Sequence, residues 1–313
     1  MLGRTADGLF WMFRYLERSE NTARLIETGF RIGLTRRTGE NEEWQSVLQT
    51  AAVDDLYYRH YTQLEASKVI DFLLRDANNP SSVMSSIATA RRNARRVRTA
   101  ITGEVWGAIN DTFLYLKQAL KRPVSTRDLP VLLSTIRQQS QLVRGATHGS
   151  MLRNDLFDFC RLGTFLERAD NTARILDVKY YVLLPSISQI GSNLDNIQWE
   201  TILRSVGGQR AYRTVDRGDP CPKGIANFLI FDGRMPRSLM FSTSKIATNM
   251  HFLEKVYGIR LTSHDHADQL IARLENGNIE RVFEEGLHEF ISDFLRDTAR
   301  LGTQIESDYR FRE

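Results

Sequence analysis

The sequence predicts an all-α protein, a helical bundle of about ten helices formed by tandem duplication, with its two copies related by a pseudo-two-fold axis. Three observations predict it. Similar segments recur in the same order at a nearly constant offset. Apolar residues return at i, i+3 and i+4 with hardly any alternation of β-branched residues. Only seven prolines occur, most of them between periodic segments, so helices are punctuated rather than broken.

The repeat is read directly. Residues 14–27, RYLERSENTARLIE, match residues 164–177, TFLERADNTARILD, at an offset of 150. Trp44 and Leu48 answer to Trp199 and Leu203 at 155, and FLLRDANNPSSVMSS from Phe72 answers to FLIFDGRMPRSLMFS from Phe228 at 156. The copies are 1–148 and 149–313, expected to pack as one globular unit.

Taken in order, the first helix is apolar around most of its circumference, with Leu9, Phe10, Trp11, Met12, Phe13, Tyr15 and Leu16, which predicts a buried helix. The run TQLEASKVIDFLLRD continues the helical spacing. Asn79-Pro80-Ser81-Ser82 supplies a stop, a cap candidate and the start of a long helix reaching about Lys117. In the second copy Ile225 to Phe231 is the clearest strand candidate, yet it lies opposite Val69 to Leu74 and is assigned helix. Met235-Pro236-Arg237-Ser238 repeats the stop and restart. The segment from Ile279 to about Arg310 reads as one more long helix that tolerates Gly286 and Gly302.

Charge inside such a helix needs explaining. Glu17, Asn21 and Arg24, at i, i+4 and i+7, share an arc of about 60° that also carries Phe10 and Phe13. Arg18 shares its side with Trp11, Thr22 and Leu25. The second copy repeats the pattern with Glu167, Asn171 and Arg174, and with Arg168 beside Thr172 and Ile175. Burying an unpaired charge costs on the order of several kcal/mol, so each glutamate is expected to face an arginine, within its helix or across the axis. Two readings stay open. Paired Glu, Arg and Asn can simply fix helix register. Alternatively, arginines fork around a phosphate or carboxylate while Glu17 or Glu167 transfers protons.

Elsewhere, ARRNARRVR places Arg91, Arg92, Arg95, Arg96 and Arg98 on one broad face, suited to an acidic partner, polyphosphate or nucleic acid, though without interleaved aromatics to read single strands. Arg92 and Arg95 are ligand candidates there. Thr298-Ala299-Arg300-Leu301 echoes Thr22-Ala23-Arg24-Leu25, so Arg300 is expected to join the same interior. Ser263-His264-Asp265-His266 has alternating potential metal ligands, but a helix N-cap at Ser263 or Asp265 accounts for it with less, and no metal site is assigned.

Composition narrows the classes. Among 313 residues, 42 Lys and Arg face 38 Asp and Glu, a net charge of +4 that makes nucleic acid an unlikely partner rather than an implied one. Two cysteines form no disulfide framework or metal spacing, which fits a cytoplasmic protein. Arg14, Glu17 and Arg18 interrupt the first apolar run too early for a signal or spanning helix, so no membrane is expected. No glycine-rich phosphate loop, nucleophile elbow or CxxC is present, and no cofactor is evident.

LERSENTAR, LERADNTAR, NPSSV, the NARRVR stretch leading to Glu104 and Trp106, and MPRSL occur together and in order. With them the chain resembles, over nearly its whole length, the bacterial alpha-E family, all-helical and named for its Glu-Arg motif. The resemblance carries the Glu-Arg pairs to Glu17/Arg18 and Glu167/Arg168. Genes of the family tend to lie beside those of a circularly permuted ATP-grasp ligase and of transglutaminase-like or Ntn-type amidohydrolases. That context implies an accessory or binding protein in a peptide- or amide-forming pathway, partnered by an ATP-grasp ligase and holding an anionic ligand near the Glu/Arg/Asn cluster. The alternatives are an enzyme using Glu17 or Glu167 and a nucleic-acid binder using the face from Arg91 to Arg98. Arg91, Arg92 and Arg95 have Ala247, Thr248 and His251 opposite them, which argues against two equivalent sites.

Overall fold

A computed structural model describes residues 3–35, 42–182, 193–216 and 220–311, and among these it contains fifteen helices and no strand. Two long helices form the centre, α1 (Gly3–Thr35) and α8 (Asp155–Val182). They carry the two similar LER segments, and they pack on each other. Leu9, Phe10, Met12, Leu16 and Ile26 of α1 and Phe159, Leu162 and Leu166 of α8 are fully buried, each such side chain contributing roughly 1.5–3 kcal/mol of burial. The close approach depends on Gly163. A Cβ there would lie 2.2 Å from the carbonyl oxygen of Phe10, so only a hydrogen side chain lets the two backbones meet.

Around the pair, helix partners recur. α1 packs on α5 (Val83–Arg96) and α7 (Leu129–Ser150), and α8 packs on α12 (Leu239–Tyr257) and α15 (Leu287–Asp308). α2 (Glu42–Thr50), which follows α1, also lies on α8, while α9 (Asn193–Ser205), which follows α8, also lies on α1. The buried apolar residues form one continuous cluster drawn from the whole chain. Ser82 caps α5 by accepting from the Ser85 N–H, and Ser238 caps α12 by accepting from the Phe241 N–H at 2.9 Å.

The helix count exceeds the expected ten for local reasons. Six elements are short, α2, α3 (Asp54–His60), α4 (Ala66–Leu74), α10 (Gln209–Val215), α11 (Pro222–Phe231) and α14 (Ile279–Glu285), and most give too few turns for periodicity to show. Two expected long helices are also divided. The helix starting after Ser82 stops at Arg96, and Thr102 caps a new one, α6 (Gly103–Ala119), by accepting from the Val105 N–H at 3.3 Å. Gly286, at φ 106°, separates α14 from α15, whereas Gly302 stays within α15 and faces the core. In α13 (Thr262–Glu275) neither Ser263 nor Asp265 is the cap. Leu261 occupies that position, and its N–H donates to Nδ1 of His264 at 3.0 Å, the imidazole taking over the job of a capping side chain.

Candidate functional site

The α1–α8 contact carries the charged clusters. Glu17, 1% exposed, accepts from Arg168 Nε at 2.9 Å on one oxygen and from Arg168 Nη2 at 3.0 Å on the other. Reciprocally, Arg18 reaches both oxygens of Glu167, with Nη2 at 3.0 Å from one of them. Each Glu-Arg dipeptide thus exchanges its partners with the other, and the two clusters expected from sequence meet. The forked geometry is the strong form of this pairing.

Further arginines converge. Arg144 of α7 donates to Glu17 at 2.9 Å and also to Glu20. Arg237, 7% exposed and just ahead of α12, reaches Glu17, Glu20 and the Asn21 Oδ1 at 3.1 Å. Arg24 holds Glu20 from one turn away and donates to the Ser205 carbonyl at 3.1 Å. On the other side Arg14 adds a bond to Glu167 at 2.9 Å, and Arg174 holds Asp170 as Arg24 holds Glu20. Two carbonyls are held alike, with Thr22 donating to Ser81 at 3.5 Å and Thr172 to Arg237 at 2.9 Å.

Burial by itself raises the pKa of Glu17, but Arg168, Arg144 and Arg237 outweigh it and hold the carboxyl far below its ordinary range. Glu167 is likewise lowered, to about 2, by Arg18 and Arg14 against burial. Carboxylates so held stay ionised at neutral pH and make poor proton donors. Their chemistry is that of a charge clamp.

Positive charge is left over. Arg24, Arg144, Arg168 and Arg237 face only Glu17 and Glu20. Burial, then Arg24, depresses Arg237 to about 9. Beside this cluster α7 and α8 enclose a cavity of about 240 Å³ whose walls include Arg144, Arg161, Arg168 and His148 with Phe157 and Phe165. Arg161 lies over Phe165, 4.8 Å from its centroid, and its Nη1 is 3.3 Å from His148 Nε2. Burial and the neighbouring Arg168 lower its pKa. Burial, then Arg161, Arg153 and Arg144, lowers that of His148.

Of the residues singled out in the sequence, Glu17, Arg18, Asn21, Arg24, Glu167, Arg168 and Arg174 are in these clusters. Asn171 is buried at the same contact but has no hydrogen-bond partner among the described residues. Arg300 does not join them. It is exposed on the outer side of α15, whose inward positions are Thr298, Leu301 and Gly302. Arg92 and Arg95 are exposed on α5, with Arg92 donating to Thr89 of its own helix. The rest of that basic face is engaged. Arg91 donates to Asn110 and lies over Phe113, Arg96 donates to Asp7, and Arg98 lies over Trp106. Sequence reasoning missed Arg14, Glu20, Arg144, Arg161, Asp170 and Arg237. Glu20 and Asp170 were findable, since each precedes Arg24 or Arg174 by one turn in the repeated segment.

Similar proteins place this arrangement. An uncharacterized protein of Mycobacterium bovis and two from strains of Mycobacterium tuberculosis are each 21% identical over 312 residues. Each alignment covers 93% of this chain and 35% of the relative, so the chain spans about a third of the length of the curated relatives it matches. No solved structure matches the chain significantly. A family model matches residues 1–309, that of Alpha-E, described as a predicted alpha-helical domain with a conserved ER motif. With its two Glu-Arg dipeptides interlocked at the centre of an all-helical fold, the chain belongs to the Alpha-E family.

Proposed function

We propose that this chain is a helical accessory and binding protein that holds an anionic ligand against the arginines of the α7–α8 cavity, acting beside an ATP-grasp amide ligase in a peptide- or amide-forming pathway. The observation that carries the reading is the surplus of guanidinium over carboxylate at this wall, where Arg161 stands near Arg168 and Asp158 but forms no ion pair among the described residues. A phosphate or carboxylate entering there completes the balance, with the phenyl rings covering its apolar part. The ligase partner rests on the genomic context that the family resemblance implies. The exchanged Glu-Arg pairs and the recurring helix partners support a tandem duplication, 1–148 and 149–313, about a pseudo-two-fold axis. Two unpaired cysteines, Cys160 buried and Cys221 exposed, fit a reducing cytoplasm.

Acid-base catalysis by Glu17 or Glu167 is the weaker reading because both carboxylates are locked as anions. Nucleic-acid binding by Arg91–Arg98 is weaker still, since three of its five arginines are occupied within the chain. Calorimetric titration with inorganic phosphate and with a tri-glutamate peptide tests the ligand. Binding that Arg161→Ala removes supports it, and no binding, or equal binding by the variant, rejects it. Co-expression with an ATP-grasp ligase tests the partner, and a chain that always elutes alone rejects that part.

A further inference from the structure

Among the differences between the two halves of the charged centre, one lies where the segments before α5 and α12 approach it. In the sequence repeat Ser81 stands opposite Arg237, and the structure treats the two alike at the backbone, since Thr22 binds the carbonyl of Ser81 as Thr172 binds that of Arg237. Their side chains are not alike. Arg237 inserts its guanidinium among Glu17, Glu20 and Asn21. Ser81 inserts nothing comparable, and beside it lies a cavity of about 210 Å³ lined by Arg18, Glu167, Asp170, Asn171 and Arg174. These five are the repeat counterparts of Arg168, Glu17, Glu20, Asn21 and Arg24, the surroundings of Arg237. The cavity is therefore the space that Arg237 fills in the other half.

Two further observations describe an occupant. Asn21 also lines this cavity and is 2% exposed. Its Oδ1 is committed to Arg237, which fixes the amide's orientation, and its Nδ2 is buried with no hydrogen-bond partner among the described residues. A buried donor without an acceptor costs about 1–3 kcal/mol. The number of donors points the same way as shape. The first cluster sets four guanidinium groups, Arg24, Arg144, Arg168 and Arg237, against Glu17 and Glu20, and the second sets three, Arg14, Arg18 and Arg174, against Glu167 and Asp170. One more guanidinium gives the second cluster the first's number of cationic donors, and since the second already holds one more guanidinium than carboxylate, the occupant's own carboxylate has to offset the charge it adds. Access is open here, because Arg18, Asp170 and Arg174 are only half-buried.

We propose that this cavity binds a small guanidino acid, whose guanidinium takes the position beside Glu167, Asp170 and Asn171 that Arg237 takes beside Glu17, Glu20 and Asn21, and whose carboxylate accepts from Asn21 Nδ2. The site is separate from the anion cavity between α7 and α8 and stands or falls independently of it.

Calorimetric titration of the full chain with L-arginine tests the proposal, against L-citrulline, its uncharged isostere, and agmatine, which lacks the carboxylate. The expected result is one-to-one binding of L-arginine, with citrulline and agmatine each weaker by at least about tenfold, the size expected for losing one charge-assisted hydrogen bond. Ser81→Arg rebuilds the Arg237 arrangement in this half and should abolish binding while circular dichroism and the melting midpoint stay at or above the wild-type values. Asp170→Asn, which fills nothing, should weaken binding by a similar factor and serves if Ser81→Arg fails to fold. Arg161→Ala should leave L-arginine binding unchanged. Absence of L-arginine binding, equal binding of citrulline or agmatine, or wild-type affinity in a folded Ser81→Arg or Asp170→Asn variant overturns the proposal.

Discussion

Arg168 grips both carboxylate oxygens of Glu17, at 2.9 and 3.0 Å, across the contact between α1 and α8. The pair is buried and shares Glu17 with Arg144 and Arg237. Removing one member leaves the others uncompensated, which for a buried ion pair costs about 3–5 kcal/mol. Glu17→Gln should therefore lower the melting midpoint by many degrees. Glu167→Gln should lower it less, since Arg14 and Arg18 retain contact with water. A double-mutant cycle with Glu17→Gln and Arg168→Gln should return a coupling of roughly 1–3 kcal/mol, and additivity of the two would contradict the bond.

Stability should peak in mildly acidic solution. Glu167 titrates at about 2 in the fold against 4.5 unperturbed, so its contribution is complete above about pH 4.5 and drains away as pH falls toward 2. Glu17 and Glu20, also lowered, act in the same direction. Asp158 runs the other way. Burial pushes it up from 3.8 to about 6, against the nearby Arg161 and with help from Asp155, so its contribution is full below 3.8 and lost as pH rises through 6. His148, lowered by burial and then by Arg161, Arg153 and Arg144, acts with the glutamates and loses its contribution as pH falls below 6.5. Urea denaturation across pH should therefore give a broad maximum between roughly pH 4 and 7, and Asp158→Asn should flatten the decline on the alkaline side by about 1–2 kcal/mol.

Gly163→Ala should disturb the centre more than a methyl group ordinarily does. The added carbon meets the Phe10 carbonyl at 2.2 Å, and backbone cannot swing aside as a side-chain tip can. A loss of about 1–3 kcal/mol or more is expected from thermal unfolding. Unchanged stability would mean that α1 and α8 slide apart freely.

Arg92→Ala, Arg95→Ala and Arg300→Ala should each stay within about 0.5 kcal/mol of the parent, the usual range for exposed positions. Arg144→Ala, by contrast, should cost several kcal/mol, because it strips Glu17 and Glu20 together. Equal losses in the two groups would contradict the assignment of inner and outer arginines.

The repeated LER segments were enough to anticipate the central helices and a pairing of each buried glutamate with an arginine, because charge on an otherwise apolar helix must find an opposite charge, but not whether that arginine lies in the same helix or across the contact. Arg144 and Arg237 left no comparable trace. They come from segments distant in sequence, and only the packing of α7 and α12 brings them in. Arg300 misled for a definable reason. Arg24 is held by Glu20 one turn earlier, but the residue one turn before Arg300 is Arg296, and nearby Asp297 is taken by Arg273. The same tetrapeptide in a different phase of its helix points outward. The division at Thr102 and Gly286 was hidden because apolar spacing continues across both.

The 151 residues between Glu17 and Arg168 have a meaning in time as well as in space. A ribosome adds roughly 5–20 residues per second, so for about 7–27 s after α1 is made its glutamates have no partners from α8. During that interval the first helix offers an apolar surface bearing unanswered charge, which favours a hydrated, waiting segment over premature collapse. Of the two central helices the earlier-made one waits for the later, and the centre locks only once α8 has emerged.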